Sequence, residues 1–322
     1  MPVTQEQATW FADAFQKLVA NIDKAIVGKS NVIRLVLTAL VSDGHVLLED
    51  YPGTGKTVLA KALANSLDGT TSRIQFTPDL LPSDVTGVQI YDQSKGKFQF
   101  HQGPIFASIV LADEINRASP KTQSALLEVM EEGVVTIDGE GHGVGAPFMV
   151  IATQNPIEME GTYPLPEAQR DRFTARVSMG YPSAAAELDM LDTHGGPAAL
   201  DDLDAVADAS EVRKLIDVVR AVHVSDEVKR YVVDLVSATR TAPELRLGAS
   251  PRSSLQLLRA ARAAAGLEGR DYVLPDDVQA LAVPVLAHRL LPTAEAQVAR
   301  RTTEAVVQAL VERLPLPRPT KR

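Results

Sequence analysis

HVLLEDYPGTGKT, residues 45–57, is the stretch on which the fold turns. Its first five residues are a short apolar run bounded by turn residues, suited to a strand buried on both faces. Its second part is a turn with glycines at 53 and 55, opening a helix that carries Leu59, Leu63 and Leu67 on one side. Strand, glycine-rich turn and helix in that order read as a phosphate-binding loop, the alternative for GKT alone being a glycine-rich helix start with a surface lysine. The glycines let backbone N–H groups converge on phosphate oxygens, and the helix adds its positive end. Lys56 neutralises β/γ charge, and the Thr57 hydroxyl can hold Mg²⁺. Pro52, Gly53, Thr54, Gly55, Lys56, Thr57 and Val58 are the candidate nucleotide-binding residues, with Asp50 where the usual pattern has its first glycine.

Outward from this loop the strand signal recurs at 73–76, 108–112, 148–152 and 176–179, with helical stretches between several of them. Five strands with crossovers predict an α/β fold, a parallel sheet covered on both faces. The run 109–112 ends in Asp113 and Glu114. An Asp there can join a magnesium shell, and a neighbouring Glu can polarise water for in-line attack on a γ-phosphate. The alternative is a pair of carboxylates that caps the helix starting near Ser119-Pro120. The next strand leads to Asn155, which a parallel sheet would set beside the same water, or which with Pro156 is an ordinary turn.

Two segments depart from strand–crossover–strand. Val88, Ile90, Phe98 and Phe100 alternate with polar residues around Ser94-Lys95-Gly96, predicting a hairpin, and 134–137 with Asp138-Gly139 predict the start of another. They read equally as surface decoration or as functional loops. Upstream, Phe11, Phe15, Leu18 and Ile22 predict an amphipathic helix, and a second helix from Ser30 and Asn31, offered as caps, runs to Asp43-Gly44. After 181 strand signals stop. The sequence divides into an α/β core over 1–181 with the N-terminal helix and two hairpins, a connector over 182–204, and a helical region over 205–322. In that region Val228, Val232, Leu235 and Val236 form one stripe, Leu255, Leu258, Ala261 and Ala265 another, and Val278, Leu281 and Val285 a third. A last helix is expected over 294–314.

Composition narrows the chemistry. At 322 residues, two domains are the expectation. With no cysteine, disulfides, thiol nucleophiles and iron–sulfur ligation are excluded, and the spacing of the six histidines builds no helical zinc pair. A net charge of -9 disfavours nucleic acid as partner. No apolar stretch approaches membrane-spanning length and the first residues do not resemble a signal peptide, so the expectation is no membrane insertion and a cytoplasmic protein.

The order GKT, hydrophobic-DE, Asn, Arg-Asp-Arg-Phe at 170–173 and Pro-Arg at 251–252 resembles the AAA+ ATPases over residues 24–310. More narrowly, HVLLEDYPGTGKT, LADEINRASPKTQSALLEVMEEG, VIATQNPIEMEGTYPLPEAQRDRF and SPRSSLQLLRAARA look like the MoxR family. The resemblance implies an AAA+ P-loop core with an all-helical lid, ATP and Mg²⁺ as cofactors, and a homo-oligomeric ring, a hexamer by analogy. It assigns Thr57 and Asp113 to the metal, Glu114 to the base, Asn155 to sensor 1 and Arg172 to an arginine finger for the neighbouring subunit. Arg252 becomes a sensor 2 that closes the lid on its own nucleotide, and Ile26, Val27 and Gly28 line the adenine pocket. Arg170 competes with Arg172 for the finger role, and the glycine-rich stretch 139–145 departs from the family pattern. The implied function is ATP-driven remodelling, assembly or metal-cofactor maturation of a client, with a von Willebrand factor A domain protein as partner. A nucleotide-dependent binding switch and a magnesium-chelatase-like motor are the alternatives; a metabolic kinase is disfavoured.

Overall fold

A computed structural model describes residues 3–26, 28–49, 53–154, 162–181 and 203–317, with the single positions 188 and 200. Of the residues singled out above, Val27, Asp50, Tyr51, Pro52 and Asn155 lie outside the described residues, as do most of the connector and the tail beyond 317. The chain starts with α1 (Gln5–Asp23), opened by a capping box in which the Thr4 hydroxyl accepts from the Gln7 N–H at 3.2 Å and Gln7 Oε1 accepts from the Thr4 N–H at 3.0 Å. The expected stripe holds, since Phe11, Phe15, Leu18 and Ile22 are all buried. α2 (Ser30–Val41) differs from expectation at its start. Lys29 is its N-cap and makes no side-chain cap, because Ser30 is already helical and gives its hydroxyl to Asp23 at 3.0 Å.

β1 (Val46–Glu49), α3 (Lys56–Ser66) and β2 (Thr71–Gln75) follow as strand, crossover and strand. α4 (Pro82–Thr86) precedes the hairpin β3 (Gly87–Asp92) and β4 (Lys97–Gln102). β5 (Ile109–Asp113) passes through a 3-10 turn, Ile115–Arg117, into α5 (Pro120–Glu132). The second hairpin, β6 (Val134–Ile137) and β7 (Glu140–Gly143), is followed by β8 (Met149–Gln154), α6 (Glu167–Arg170) and β9 (Ala175–Val177). The central sheet has five strands in the order β2-β5-β8-β1-β9, and all four pairings are parallel. Alternate side chains sort onto its two faces. Val46, Leu48, Ile109, Leu111 and Ile151 join one core with α1, α2 and α3, whereas Leu47, Val110, Ala112, Val150 and Ala152 join another with α5.

The helical region contains α7 (Ala209–Ala221), α8 (Asp226–Thr241), β10 (Leu245–Leu247), α9 (Pro251–Leu267), α10 (Pro275–Leu286), a 3-10 turn Ala287–Arg289, β11 (Leu291–Pro292), α11 (Ala294–Val298) and α12 (Thr303–Arg313). Two expectations need correcting here. The last helix is two helices, because Arg300 takes a φ of 53° and Thr302 then caps a fresh start by accepting from the Ala305 N–H. The α9 stripe holds at Ala261 and Ala265, both buried, and at the half-buried Leu258, but not at Leu255, which is 59% exposed while Leu257 is buried in its place. Core and lid also share helices. Val3 and Ala8 pack in the lid core while Phe11 to Ile22 pack against the sheet, and Ala263 and Leu267 of α9 reach the sheet-side core.

Both expected hairpins form. Each face of the first carries apolar side chains: Val88 and Ile90 on one, Tyr91 and Phe98 in edge contact at 5.3 Å on the other, all four exposed. The glycine-rich stretch supplies the turn and return strand of the second, and Phe100 stacks on His142 at 4.1 Å, joining the two hairpins.

Candidate functional site

The carboxyl ends of the parallel strands collect the residues expected to bind nucleotide. Gly53 and Gly55 have φ of 81° and 89°, a region that only glycine occupies without strain, and Gly55 is the N-cap of α3. Lys56 and Thr57 are therefore the first two helical residues, where free backbone N–H groups and the helix dipole favour a phosphate. Thr54 and Val58 flank them, Val58 packed against the sheet core. A Cβ on Gly55 would stand 3.7 Å from the Met179 methyl, so the loop lies against the end of β9. Gly28, with φ of 76°, precedes Lys29, whose ammonium donates to the carbonyls of Met179, Gly180 at 3.2 Å and Tyr181 at 2.9 Å. Lys29 thus ties the start of α2 to the strand end beside the loop, a role its exposed-looking GK sequence did not reveal.

Asp113 ends β5 and Glu114 follows it, two strands from β1 and so about 10 Å from it. Thr153 on β8 organises both: its hydroxyl donates to Asp113 Oδ1 at 2.6 Å and accepts from the Glu114 N–H at 2.9 Å. Glu114 has a φ of 57°, strained for a non-glycine residue, which turns its carboxylate out of the strand direction. Gln75 donates to Glu114 Oε2 at 2.9 Å, and Arg117 pairs with the same oxygen at 3.1 Å. Arg73 meets Asp113 Oδ2 at 2.6 Å and Gln75 Oε1 at 2.7 Å. The helix cap proposed as the alternative use of these carboxylates is made by Ser119 instead. Asn155 would follow Gln154, the last residue of β8, but it is outside the described residues.

The arginines gather at the opposite end of the sheet. Arg172 and Arg252 line a cavity of about 430 Å³ with Gly44, His45, Phe148 and Thr174, which stand at the amino ends of β1, β8 and β9. Arg172 Nε lies 3.1 Å from Glu131 Oε2, and Arg252 bonds Glu131 Oε1. No residue of 53–57 lines this cavity. Arg252, expected over its own phosphate loop, instead has its guanidinium beside Arg172, because Ser250, just before α9, bonds Asp171. Arg170 does not line the cavity; it is mostly buried near Glu167, Glu49 and Arg176, and burial lowers its pKa.

Arg289, which the sequence reading passed over, fixes that segment. Its guanidinium is buried and donates to Asp171 Oδ1 at 2.7 Å, to the Phe173 carbonyl at 2.5 Å and to Gln256. Ser250 donates to the other Asp171 oxygen at 2.9 Å. Burial pushes Arg289 down to about 10, while Asp171 opposes the shift by charge and hydrogen bonding. Asp171, the residue between Arg170 and Arg172, is therefore the anchor that locks this segment to the helical region.

Two buried histidines near these residues make stability pH-dependent. His45 accepts from the Val150 N–H at Nδ1 and donates from Nε2 to the Met130 carbonyl, both at 3.0 Å, so its neutral form is fully used. Burial lowers its pKa from 6.5, against the opposing pull of Met130 and Asp43. Burial, then Arg289, lowers His288 further. Below pH 6.5 the unfolded chain binds protons that the folded chain refuses, so stability is complete above that value and is lost as pH falls toward the lowered folded pKa values. Each histidine can contribute up to about 1.4 kcal/mol per pH unit. Urea unfolding midpoints should fall between pH 7 and 5, less steeply in His45→Gln. An equally steep fall in that variant would remove His45 from the explanation.

Comparison with known proteins accords with this geometry. Residues 45–175 match the family described as "ATPase family associated with various cellular activities (AAA)", and residues 237–310 match an AAA lid domain. The chain is 50% identical to the uncharacterized protein YeaC of Bacillus subtilis, covering 94% of each chain. It is 42% identical to the chaperone MoxR1 of Mycobacterium tuberculosis over 94% of this chain and 82% of that one, and 34% identical to protein MoxR of Paracoccus denitrificans over 94% and 95%. A crystal structure of a proposed ATPase from Cytophaga hutchinsonii superposes with a TM-score of 0.91 at 36% identity, over 97% of this chain and 98% of that one. Phosphate loop, strand-end carboxylates and helical lid in one chain of this likeness identify it as an ATP-hydrolysing member of the MoxR family of AAA+ ATPases.

Proposed function

We propose that the chain is a ring-forming, ATP-driven remodelling chaperone whose nucleotide sits between adjacent copies. The supporting observation is the separation of the two half-sites: phosphate loop and carboxylates at the carboxyl ends of the strands, Arg172 and Arg252 at the amino ends. Transition-state charge must be met at contact distance, so arginines at the far end of the sheet serve a neighbour's nucleotide. A heterologous contact that closes on itself gives a ring, six-membered by family resemblance. Arg172 is the finger in preference to Arg170, since it faces the open cavity, and Arg252 joins it in trans.

Within the seam Lys56 neutralises the phosphates and Glu114, held by Gln75 and Arg117, takes the proton of the attacking water, with Asn155 orienting that water. The Thr57 hydroxyl and the Asp113 carboxylate are hard oxygen donors of the kind Mg²⁺ accepts alongside phosphate oxygens and water, and Asp113 already holds a cationic partner in Arg73. When bound, Mg²⁺ would neutralise charge on the transferring phosphoryl group. Turnover would swing the apolar hairpins against a client in the cytoplasm. A relative named as a chaperone supports remodelling; metal-cofactor maturation and a von Willebrand factor A domain partner are carried into this reading by the family resemblance alone. Among the described residues no helix is long and apolar enough to cross a membrane. Specific ATPase activity should rise with protein concentration through the assembly transition, and a flat profile across that transition would contradict the shared site.

A further inference from the structure

Glu131 occupies an electrostatically awkward position. It lies in the last turn of α5, which closes at Gly133, so its carboxylate stands where the unpaired carbonyls of the helix already concentrate negative charge. Two guanidinium groups from separate parts of the chain answer it, Arg172 on one oxygen and Arg252 on the other. Without that carboxylate the two cations would repel each other across the cavity. Arg172 meets the carboxylate through Nε, at the stem of its fork, 3.1 Å from Oε2. α5 also begins next to the catalytic loop, with Glu114, Arg117 and Ser119 just before its first turn. Its 13 residues span about 20 Å from one end of the sheet to the other.

We propose that Glu131 is a positioning residue that binds Arg172 and Arg252 into one two-pronged element for the neighbouring subunit's γ-phosphate. It rests on the reading of both arginines as acting in trans. Through α5 it also connects a subunit's own catalytic loop to the arginines that subunit offers its neighbour. Misplacement of catalytic groups by about 1 Å can cost on the order of 10²-fold in rate. Glu131→Gln and Glu131→Ala should therefore lower kcat by about 10- to 100-fold with little change in KM for ATP, and Glu131→Asp should recover part of the loss.

Mixing experiments separate positioning from a general structural defect. Rings of Glu131→Ala with Lys56→Ala should regain turnover, because the Lys56→Ala copy supplies intact arginines to the intact phosphate loop of its neighbour. Rings of Glu131→Ala with Arg172→Ala should gain nothing over Glu131→Ala alone, because both lesions lie on the same side of the seam. Wild-type or raised kcat in Glu131→Ala would overturn the proposal, as would recovery with Arg172→Ala or none with Lys56→Ala. The pairing of Arg172→Ala with Lys56→Ala locates the failure. If it recovers while Glu131→Ala is fully active, only the role of Glu131 falls; if it never recovers, the trans reading falls too.

Discussion

Glu114→Gln is expected to lower ATP turnover by about 10²- to 10⁴-fold while leaving nucleotide affinity nearly unchanged, the contribution typical of a positioned general base. The amide keeps the shape of the side chain and can still bond Gln75, but it cannot accept a proton from water. The effect should be confined to kcat because Glu114 holds its place through its own backbone, the strained turn and the Thr153 bond, and not through contact with the phosphate loop. Stopped-flow binding of a fluorescent ATP analogue and steady-state hydrolysis measure the two halves of the expectation. A variant that turns over normally would remove Glu114 as base. Because this variant is held in the ATP-bound state, it should also retain its client. Recovery of a von Willebrand factor A domain protein by mass identification would support the remodelling function, whereas a partner held by the ATP state and never altered by wild-type turnover would favour the binding switch.

Arg172→Ala is expected to lower kcat by about 10³- to 10⁵-fold, the range over which trans arginines act in P-loop enzymes. Its own phosphate loop should bind ATP with unchanged affinity, since Arg172 lies at the other end of the sheet among Gly44, His45 and Thr174. Arg170→Ala should have a much smaller kinetic effect, because that side chain does not line the cavity. The reverse ranking, with Arg170→Ala the more damaging, would transfer the finger role. Loss of ATP affinity in Arg172→Ala would mean that the arginine serves its own subunit.

The sheet was legible because its inner strands are buried on both faces, so 46–48, 109–112 and 148–152 read as unbroken apolar runs. The phosphate loop and the paired carboxylates were legible for a related reason: each is local, with its chemistry written in adjacent residues. Partners distant in sequence were not. Nothing in 170–173 indicates that Asp171 is held by Arg289, 118 positions away, or that Glu131 joins Arg172 to Arg252. The same limit explains Arg252. A Pro-Arg helix start identifies the residue, but the end of the sheet that it faces depends on how α9 packs. Leu255 failed for a neighbouring reason, since helical spacing gives a stripe only up to a rotation, and the true stripe is set by what α1 and α10 offer as partners. The break at Arg300 was local yet weak, its only signal being the Thr302 cap.

The shared seam is tested most directly by mixing Lys56→Ala with Arg172→Ala. Each alone should hydrolyse almost no ATP. Co-assembled in equal amounts, they should recover a substantial fraction of wild-type activity, because at some seams an intact phosphate loop meets an intact arginine pair. Mixed rings that are demonstrably formed and remain inactive at every ratio would contradict a site built from two copies.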